Sequence, residues 1–212
     1  MTIKGSFFNK DYLKTDIEAG TITNSSGNRV LFLTEDFLKG FKKSLKSETD
    51  DAYKIVLETC GKFWGQSFIK KFREEVKGFY NEDLTDMTVY NLNRLVEDLW
   101  KYHGWGEISI NWKEAFTTGI FNIQIKNSAF ADIIGDNTAD SENVFKGMLP
   151  AIFSDLSGKD LECQQTSYQV FGNETLTTFV LGISSRLKKT PDMLKDGLSH
   201  QEIVEKLNKI SA

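Results

Sequence analysis

The sequence predicts an α+β domain in which several helices pack on about four strands. Two observations carry this. Apolar residues recur at three-to-four spacing up to about Gly104, and the period then drops to two from Glu107 onward. Hydrophobic residues make up 40% of 212, with 16 Phe and 4 Trp, enough for a sizeable core in a chain of one-domain length. No apolar run approaches the roughly 20 residues of a membrane span, and Met1-Thr2-Ile3-Lys4-Gly5 lacks the apolar segment of a secretory signal. The expectation is a soluble, cytoplasmic protein, at most peripheral at a membrane. Two cysteines are too few for a disulfide framework and suit a reducing compartment. A net charge of −4 gives no general pull toward phosphate backbones, so nucleic acid is not an expected partner.

Residues 1–29, with Gly5, Gly20 and the polar cluster Asn24-Ser25-Ser26-Gly27-Asn28, read as an irregular N-terminal extension. Thr34 can cap a helix carrying Phe37, Leu38 and Phe41, with Glu35 and Asp36 in its first turn. The longest helical candidate runs from Glu48 to about Lys77. Its apolar stripe is Ala52, Val56, Cys60, Phe63, Phe68, Phe72 and Val76, with Leu57, Gly61 and Gly65 on an adjacent one. Each glycine costs about 1 kcal/mol of helix propensity relative to Ala. A close helix crossing or space for a ligand should compensate, and the crossing is the commoner use. Ile55, Leu57, Trp64 and Ile69 make this helix apolar on more than one face. The surplus predicts a homodimer with this helix near the interface, Gly61 and Gly65 permitting close approach.

A third helix starts at Thr85 or Asp86, carries Leu92, Leu95, Val96, Leu99 and Trp100 on one face, and stops at Gly104. Ile108, Ile110 and Trp112 then alternate with polar residues, as do Phe121, Ile123 and Ile125; both read as half-buried strands, with Thr117-Thr118-Gly119 in their connection. A polar loop at 135–140 precedes a helix from about Ser141 to Leu156, which Pro150 should bend or interrupt. Strands follow at about 160–170 and 176–183. Residues 186–212 form a C-terminal helical segment, with Pro191 at a helix start and a capping box at Ser199 and Glu202.

His103 is the sharpest candidate for chemistry. Four residues after Leu99, it stands at the edge of an apolar stripe and precedes Gly104-Trp105-Gly106. It could ligate a tetrapyrrole metal or donate to a ligand carboxylate; the plainer reading is a helix-end histidine bonded to backbone carbonyls. Cys163 lies on a strand, and no C-x-x-C or H-x-x-H spacing accompanies it to make a metal site. Cys60 reads as a small buried hydrophobe. Asp136 to Glu142 departs from a calcium loop at several ligand positions. There is no nucleophile elbow, phosphate loop or dinucleotide fingerprint.

Several blocks together resemble the 4-vinyl reductase domain, whose fold is related to subunits of the TRAPP trafficking complex. They are Tyr53-x-x-x-Leu57-x-x-Cys60-Gly61-x-x-Trp64-Gly65, Tyr102-x-Gly104-Trp105-Gly106, Asn127-Ser128-Ala129-Phe130-Ala131, Phe145-Lys146-Gly147-Met148-Leu149, Ser157-Gly158-Lys159-Asp160-Leu161-Glu162-Cys163 and Gln169-Val170-Phe171-Gly172. The resemblance spans residues 30–185. It implies a twisted antiparallel sheet against helices, frequent dimerisation, and a pocket for a hydrophobic small molecule. His103, Trp105, Cys163, Tyr168, Gly61, Gly65 and Cys60 are the residues placed at that pocket. Stand-alone cyanobacterial members are linked with photosystem assembly, which implies a chlorophyll-type tetrapyrrole ligand, a membrane-protein assembly complex as partner and a thylakoid surface. The family ending E-x-x-C-x-x-x-G-x-x-x-C-x-F often binds metal. Here Gln165 stands at its Glu, Tyr168 at its first Cys, and Leu176 or Thr177 at its second. No metal site of that kind is expected. A binding or assembly role is favoured; the alternatives are an enzyme or accessory subunit of vinyl-group reduction, and an interaction scaffold whose pocket is filled by its own side chains.

Overall fold

A computed structural model describes residues 5–9, 11–135 and 142–209. The chain is an α+β fold with two antiparallel sheets. The N-terminal segment is not an irregular arm. It forms a three-stranded meander of β1 (Leu13–Asp16), β2 (Thr21–Asn24) and β3 (Arg29–Val30). Asn24 builds the β2–β3 turn, its Oδ1 accepting from the backbone N–H of Ser26 and Asn28 while Gly27 takes φ +81°. Phe7 and Tyr12 are buried in the main core.

Helix α1 (Glu35–Thr49) is capped by Thr34, whose hydroxyl accepts from the Phe37 N–H. A short 3-10 turn (Asp50–Ala52) leads into α2 (Tyr53–Tyr80). Helix α2 starts at Tyr53 rather than at the Glu48 that the sequence suggests, since Asp50 at φ +47° breaks the run. Helix α2 buries Tyr53, Leu57, Gly61, Gly65, Ile69, Phe72 and Val76. The stripe through Val56, Cys60 and Phe63 is exposed, so Cys60 is not a core residue. The glycine stripe wins because it alone admits a second helix.

That second helix is α6 (Asn143–Ser157). A Cβ added at Gly61 would sit 2.0 Å from the Val144 carbonyl oxygen, and one at Gly65 2.8 Å from that of Met148. Reciprocally, a Cβ at Gly147 would sit 1.9 Å from the Glu58 carbonyl oxygen. Backbone touches backbone in both directions, and Cα–H···O contacts of this kind contribute about 0.5–1 kcal/mol each. Pro150 lies inside α6, and the helix continues through it to Ser157.

Helix α3 (Val89–Tyr102) starts later than the sequence suggests, because Thr88 rather than Thr85 or Asp86 supplies the capping hydroxyl. Strand β4 (Glu107–Ile110) is short. Asn111 caps a new helix, α4 (Trp112–Thr118), so Trp112 belongs to a helix rather than to a strand. Strand β5 (Phe121–Lys126) is followed by α5 (Ala129–Ile134), which Ser128 caps. The polar loop at 136–141, with most of the calcium-loop reading, lies outside the described residues. Strands β6 (Glu162–Phe171) and β7 (Glu174–Gly182) form a hairpin turning through Gly172 at φ +63°. The sheet order is β4-β5-β7-β6, antiparallel throughout.

Both faces of this sheet are covered. Ile123, Ile125, Phe179 and Leu181 join Phe145, Met148, Ile152 and Phe153 of α6 in the main core. Val180 turns the other way, into a smaller core with Ile120, Leu187, Ile203, Val204 and Leu207. There the C-terminal helices α7 (Ser184–Leu187), α8 (Thr190–Lys195) and α9 (His200–Lys209) dock. Buried Arg186 donates to the carbonyls of Thr118 and Leu207, and the Ser199–Glu202 capping box forms as expected. Residues 186–209 are thus a layer of the fold.

The glycine crossing separates two substitutions within one helix. Gly61→Ala should destabilise the protein by about 1–3 kcal/mol in urea unfolding, because the added methyl overpacks the crossing. Gly78, with nothing within 4 Å of its virtual Cβ, should respond to alanine with a gain of up to about 1 kcal/mol.

Candidate ligand cleft

Spacing on α2 sets the inner wall of a cleft. Trp64, Phe68 and Phe72 recur every four residues beside the buried glycine stripe, and Ser67, Lys71 and Glu75 border them. Because Gly61 and Gly65 are locked to α6, this wall has little freedom to shift. Facing it are the end of α3 with its following turn, then Ala129, Phe130 and Ile133 of α5. The N-terminal meander and Leu31-Phe32-Leu33 make the rim. The enclosed volume is about 570 Å³, within the roughly 300–1,000 Å³ of ordinary small-molecule pockets.

The turn after α3 explains why His103 and Trp105 reach this cleft. Gly104 takes φ +68°, its N–H donates to the Lys101 carbonyl at 3.1 Å, and the Trp105 N–H donates to the Trp100 carbonyl at 3.0 Å. That is a Schellman ending, completed by contact of Trp100 and Trp105, ring centroids 5.4 Å apart. Gly106, at φ +115°, fits under the Lys126 and Asn127 carbonyls, where a Cβ would sit 2.7–2.8 Å from their oxygens. Trp105 is thereby fixed, meeting Trp64 edge-on at 5.1 Å and Phe68 at 5.5 Å. Phe130 closes on Trp64 at 5.9 Å.

His103 sits among these rings, 4.6 Å from the Trp105 centroid. Its Nδ1 is 2.9 Å from the Leu99 carbonyl oxygen. A carbonyl can only accept, so Nδ1 carries the proton and neutral Nε2 is an acceptor. Burial lowers the His103 pKa, outweighing the opposing effect of the Leu99 carbonyl. The imidazole is therefore neutral at neutral pH. This reverses one sequence reading, because a neutral Nε2 accepts from a ligand hydroxyl or N–H and has no proton for a carboxylate. It could still be a donor atom to a metal.

On the meander side of the cleft, near Tyr12, whose ring lies 6.0 Å from that of His103, Glu75 Oε1 accepts from Asn24 Nδ2 at 2.7 Å and Asn28 Nδ2 at 2.6 Å. These bonds tie the meander to α2. Desolvation raises the Tyr12 pKa to about 12, so its phenol stays neutral there. Charged groups on this side fix the rim more than they fill the cleft.

Of the seven residues placed at the pocket from sequence, the cleft brings together His103 and Trp105. Gly61 and Gly65 lie behind its wall, filled by α6, and Cys60 faces outward. Tyr168 donates to Asp132 Oδ1 at 3.3 Å, away from the cleft. Cys163 lines a separate depression with Ser184, Leu187, Lys188 and Pro191, and burial pushes its thiol well up, which leaves it a poor nucleophile. The sequence reading missed Glu75, and it missed Phe130 although that residue stands inside the Asn127–Ala131 block. Only the Asn24–Asn28 turn hinted at the rim, and its partner is some fifty residues away. Among the described residues, no three His, Cys, Asp or Glu side chains gather as a metal site, and no helix is long and apolar enough to cross a membrane.

No protein-family model and no curated protein matches the chain. Among solved structures it is similar to the phenol-responsive sensory domain of the transcription activator PoxR, in a crystal structure with phenol. The TM-score is 0.60 at 12% identity, covering 87% of this chain and 90% of that one. The two share a fold, and at this identity the likeness extends no further.

Cutting the ties between rim and wall should loosen the meander selectively. Glu75→Ala leaves two amides without their acceptor, at a cost of about 1–3 kcal/mol. Limited proteolysis should then cleave first within residues 24–33, faster than in the parent, while α2 and α6 stay protected.

Proposed function

We propose that this chain is a non-catalytic binding domain that holds a small hydrophobic, aromatic molecule in the cleft between α2, the α3–β4 turn, α5 and the N-terminal meander. The observation that carries the reading is a neutral imidazole, His103, in ring contact with Phe68 and Trp105, from which the aromatic lining continues through Trp64 to Phe130. Rings supply apolar area and edge-to-face contacts, worth about 0.5–1.5 kcal/mol per pair beyond burial. The acceptor selects a ligand with one hydroxyl or N–H. The shared fold with a phenol-responsive sensory domain supports the same ligand class.

A narrower version follows from the resemblance to the 4-vinyl reductase domain, to which we assign the chain as a proposal. There the ligand is a chlorophyll-type tetrapyrrole, His103 Nε2 is its axial donor, and the partner is a photosystem assembly complex at a membrane surface. What supports it is the sequence blocks together with His103 Nε2, whose lone pair is left available when Nδ1 carries the proton to the Leu99 carbonyl. A macrocycle would need the Leu31–Leu33 rim to swing aside.

Titration with phenol and, separately, with zinc protoporphyrin tests both versions through tryptophan quenching and the porphyrin absorption band. The expected result is saturable quenching by phenol, weakened about tenfold in His103→Phe for loss of one hydrogen bond. Because burial lowers the histidine pKa, binding should hold through neutral pH and fall only below the ordinary histidine range, where Nε2 gains a proton. A porphyrin band shift that depends on His103 would select the tetrapyrrole. No response to either probe would overturn the reading.

We further infer a homodimer, through a surface other than the one the glycines suggest, since α6 occupies them. On α1, Leu38 and Leu45 pack against the Tyr53 and Leu57 cluster, while Phe37 and Phe41 beside them stay exposed. Next to it α2 exposes Ile55 (68%), Val56 and Phe63 (64%). Large apolar side chains at such exposure on adjacent helices support burial against a second copy. Light scattering should give twice 24.1 kDa for the parent and a monomer for Phe37→Glu/Phe63→Glu; a monomeric parent at micromolar concentration would sink the dimer.

A further inference from the structure

Glu142 is a buried acid that the ligand cleft does not use. It precedes α6, and only 1% of its surface is exposed. Ser128, the capping residue of α5, donates its hydroxyl to Oε2 at 2.5 Å, and the Glu142 N–H donates to Gln165 Oε1 on β6 at 2.9 Å. Oε1 has no hydrogen-bond partner. One residue thus joins α5 through its carboxyl and β6 through its backbone N–H at the start of α6; β6 carries its register shift between Gln165 and Ser167.

Two of those three elements are otherwise immobilised. Helix α6 is locked by the glycine crossing and β6 by its hairpin with β7. Helix α5 is the shortest of the three, six residues of which Ala131 and Ile134 are buried. Asp132 accepts from Tyr168 and Thr175, and Lys42 of α1 donates to the Gly135 carbonyl. Its Phe130 and Ile133 are cleft-lining side chains. Phe130 also packs on Phe145 at 5.0 Å, the third residue of the helix that Glu142 precedes.

An ionised carboxylate in this position has an oxygen without a partner, and such a charge is costly unless water reaches it. The element that can yield to admit water is α5. We propose that Glu142 is a proton-operated clasp on the cleft: protonated, it holds α5 and Phe130 against the aromatic wall, and ionised, it releases them. The charged and titratable groups facing it agree. Asp132 on α5 disfavours its charge, Tyr168 and Cys163 on β6 are neutral, and Lys146 of α6 is paired with Glu58 of α2 at 3.2 Å. Against desolvation, the largest effect, the Ser128 hydroxyl and the nearby N–H dipoles of Phe145 and Ala131, neither of which completes a hydrogen bond to the carboxyl, favour the anion, leaving the acid raised from 4.5 to about 7.

The sign follows. The folded protein keeps this proton up to about pH 7, whereas the unfolded chain releases it near 4.5. Stability from this group is therefore complete below 4.5, is lost as pH rises through that window, and levels off above it.

The inference adds regulation to the proposed cleft, but the test uses protein alone, so a failed ligand titration leaves it standing. Melting temperature and tryptophan emission are followed from pH 5 to 8.5 in the parent, Glu142→Gln and Ser128→Ala. In the parent, melting temperature should fall with rising pH, and emission should move to the red as Phe130 leaves Trp64, its midpoint near 7. Glu142→Gln should abolish both dependences, and Trp64→Phe should remove the emission change. Ser128→Ala, which withdraws a donor to the anion, should move the emission midpoint to higher pH. Equal pH dependence in the parent and Glu142→Gln overturns the proposal. So does parental emission that ignores pH, which would make the acid structural only. If Glu142→Gln does not fold, an unmoved midpoint in Ser128→Ala is equally fatal.

Discussion

The rest of the molecule hangs on the contact of backbone with backbone where α2 crosses α6. Gly61, Gly65 and Gly147 interlock from both sides, and a methyl group at any of them would enter a carbonyl of the opposing helix. The crossing turns the glycine stripe of α2 inward, and helical geometry then fixes the other faces. Trp64, Phe68 and Phe72 fall beside the crossing and form a wall, while Ile55, Val56 and Phe63 are turned out. The same contact seats α6 on the β5–β7 face, which places Phe145 behind Trp100 and Trp105.

The cleft that results has walls of unequal stiffness. Its inner side is one long helix fixed by backbone contact, and its floor is a tryptophan held by a Schellman turn. Its outer side consists of a short helix and a two-hydrogen-bond tether at Glu75, both anchored through polar groups. Polar anchors respond to protons and water in a way that interdigitated methyl groups do not. Rigid rings opposite an adjustable rim suit a domain that takes up a ligand and changes on doing so.

Charge placement follows the same division. The cleft contains one neutral imidazole as acceptor, and the Glu75 carboxylate beside it is already engaged by two amides. The strongly perturbed groups, Glu142 and Cys163, lie behind or beside the cleft, where burial rather than chemistry on a ligand explains them. Where the resembled family often carries a Glu and its first Cys, Gln165 here bonds to Glu142 and Tyr168 to Asp132, with Thr175 nearby.

By itself the sequence determined most of the elements, because their signals are local. Periodicity marked the helices and the period-two strands, Thr34 and Ser199 marked helix starts, and Gly104 marked a helix end that points His103 and Trp105 at one place. Tertiary structure decided what local signals leave equal. Two stripes on α2 were comparably apolar by sequence, and only the presence of α6 with its own glycine at 147 buried the one containing Gly61 and Gly65, exposing Cys60. Trp112 alternates properly for a strand, yet the cap at Asn111 drew it into a helix. The first 29 residues show no strong period, yet residues 13–30 form a meander whose turn is held by Glu75, distant in sequence. Burial of Glu142 was equally invisible: a carboxylate beside a polar loop looks solvated until three elements close over it, and its titration depends on that closure.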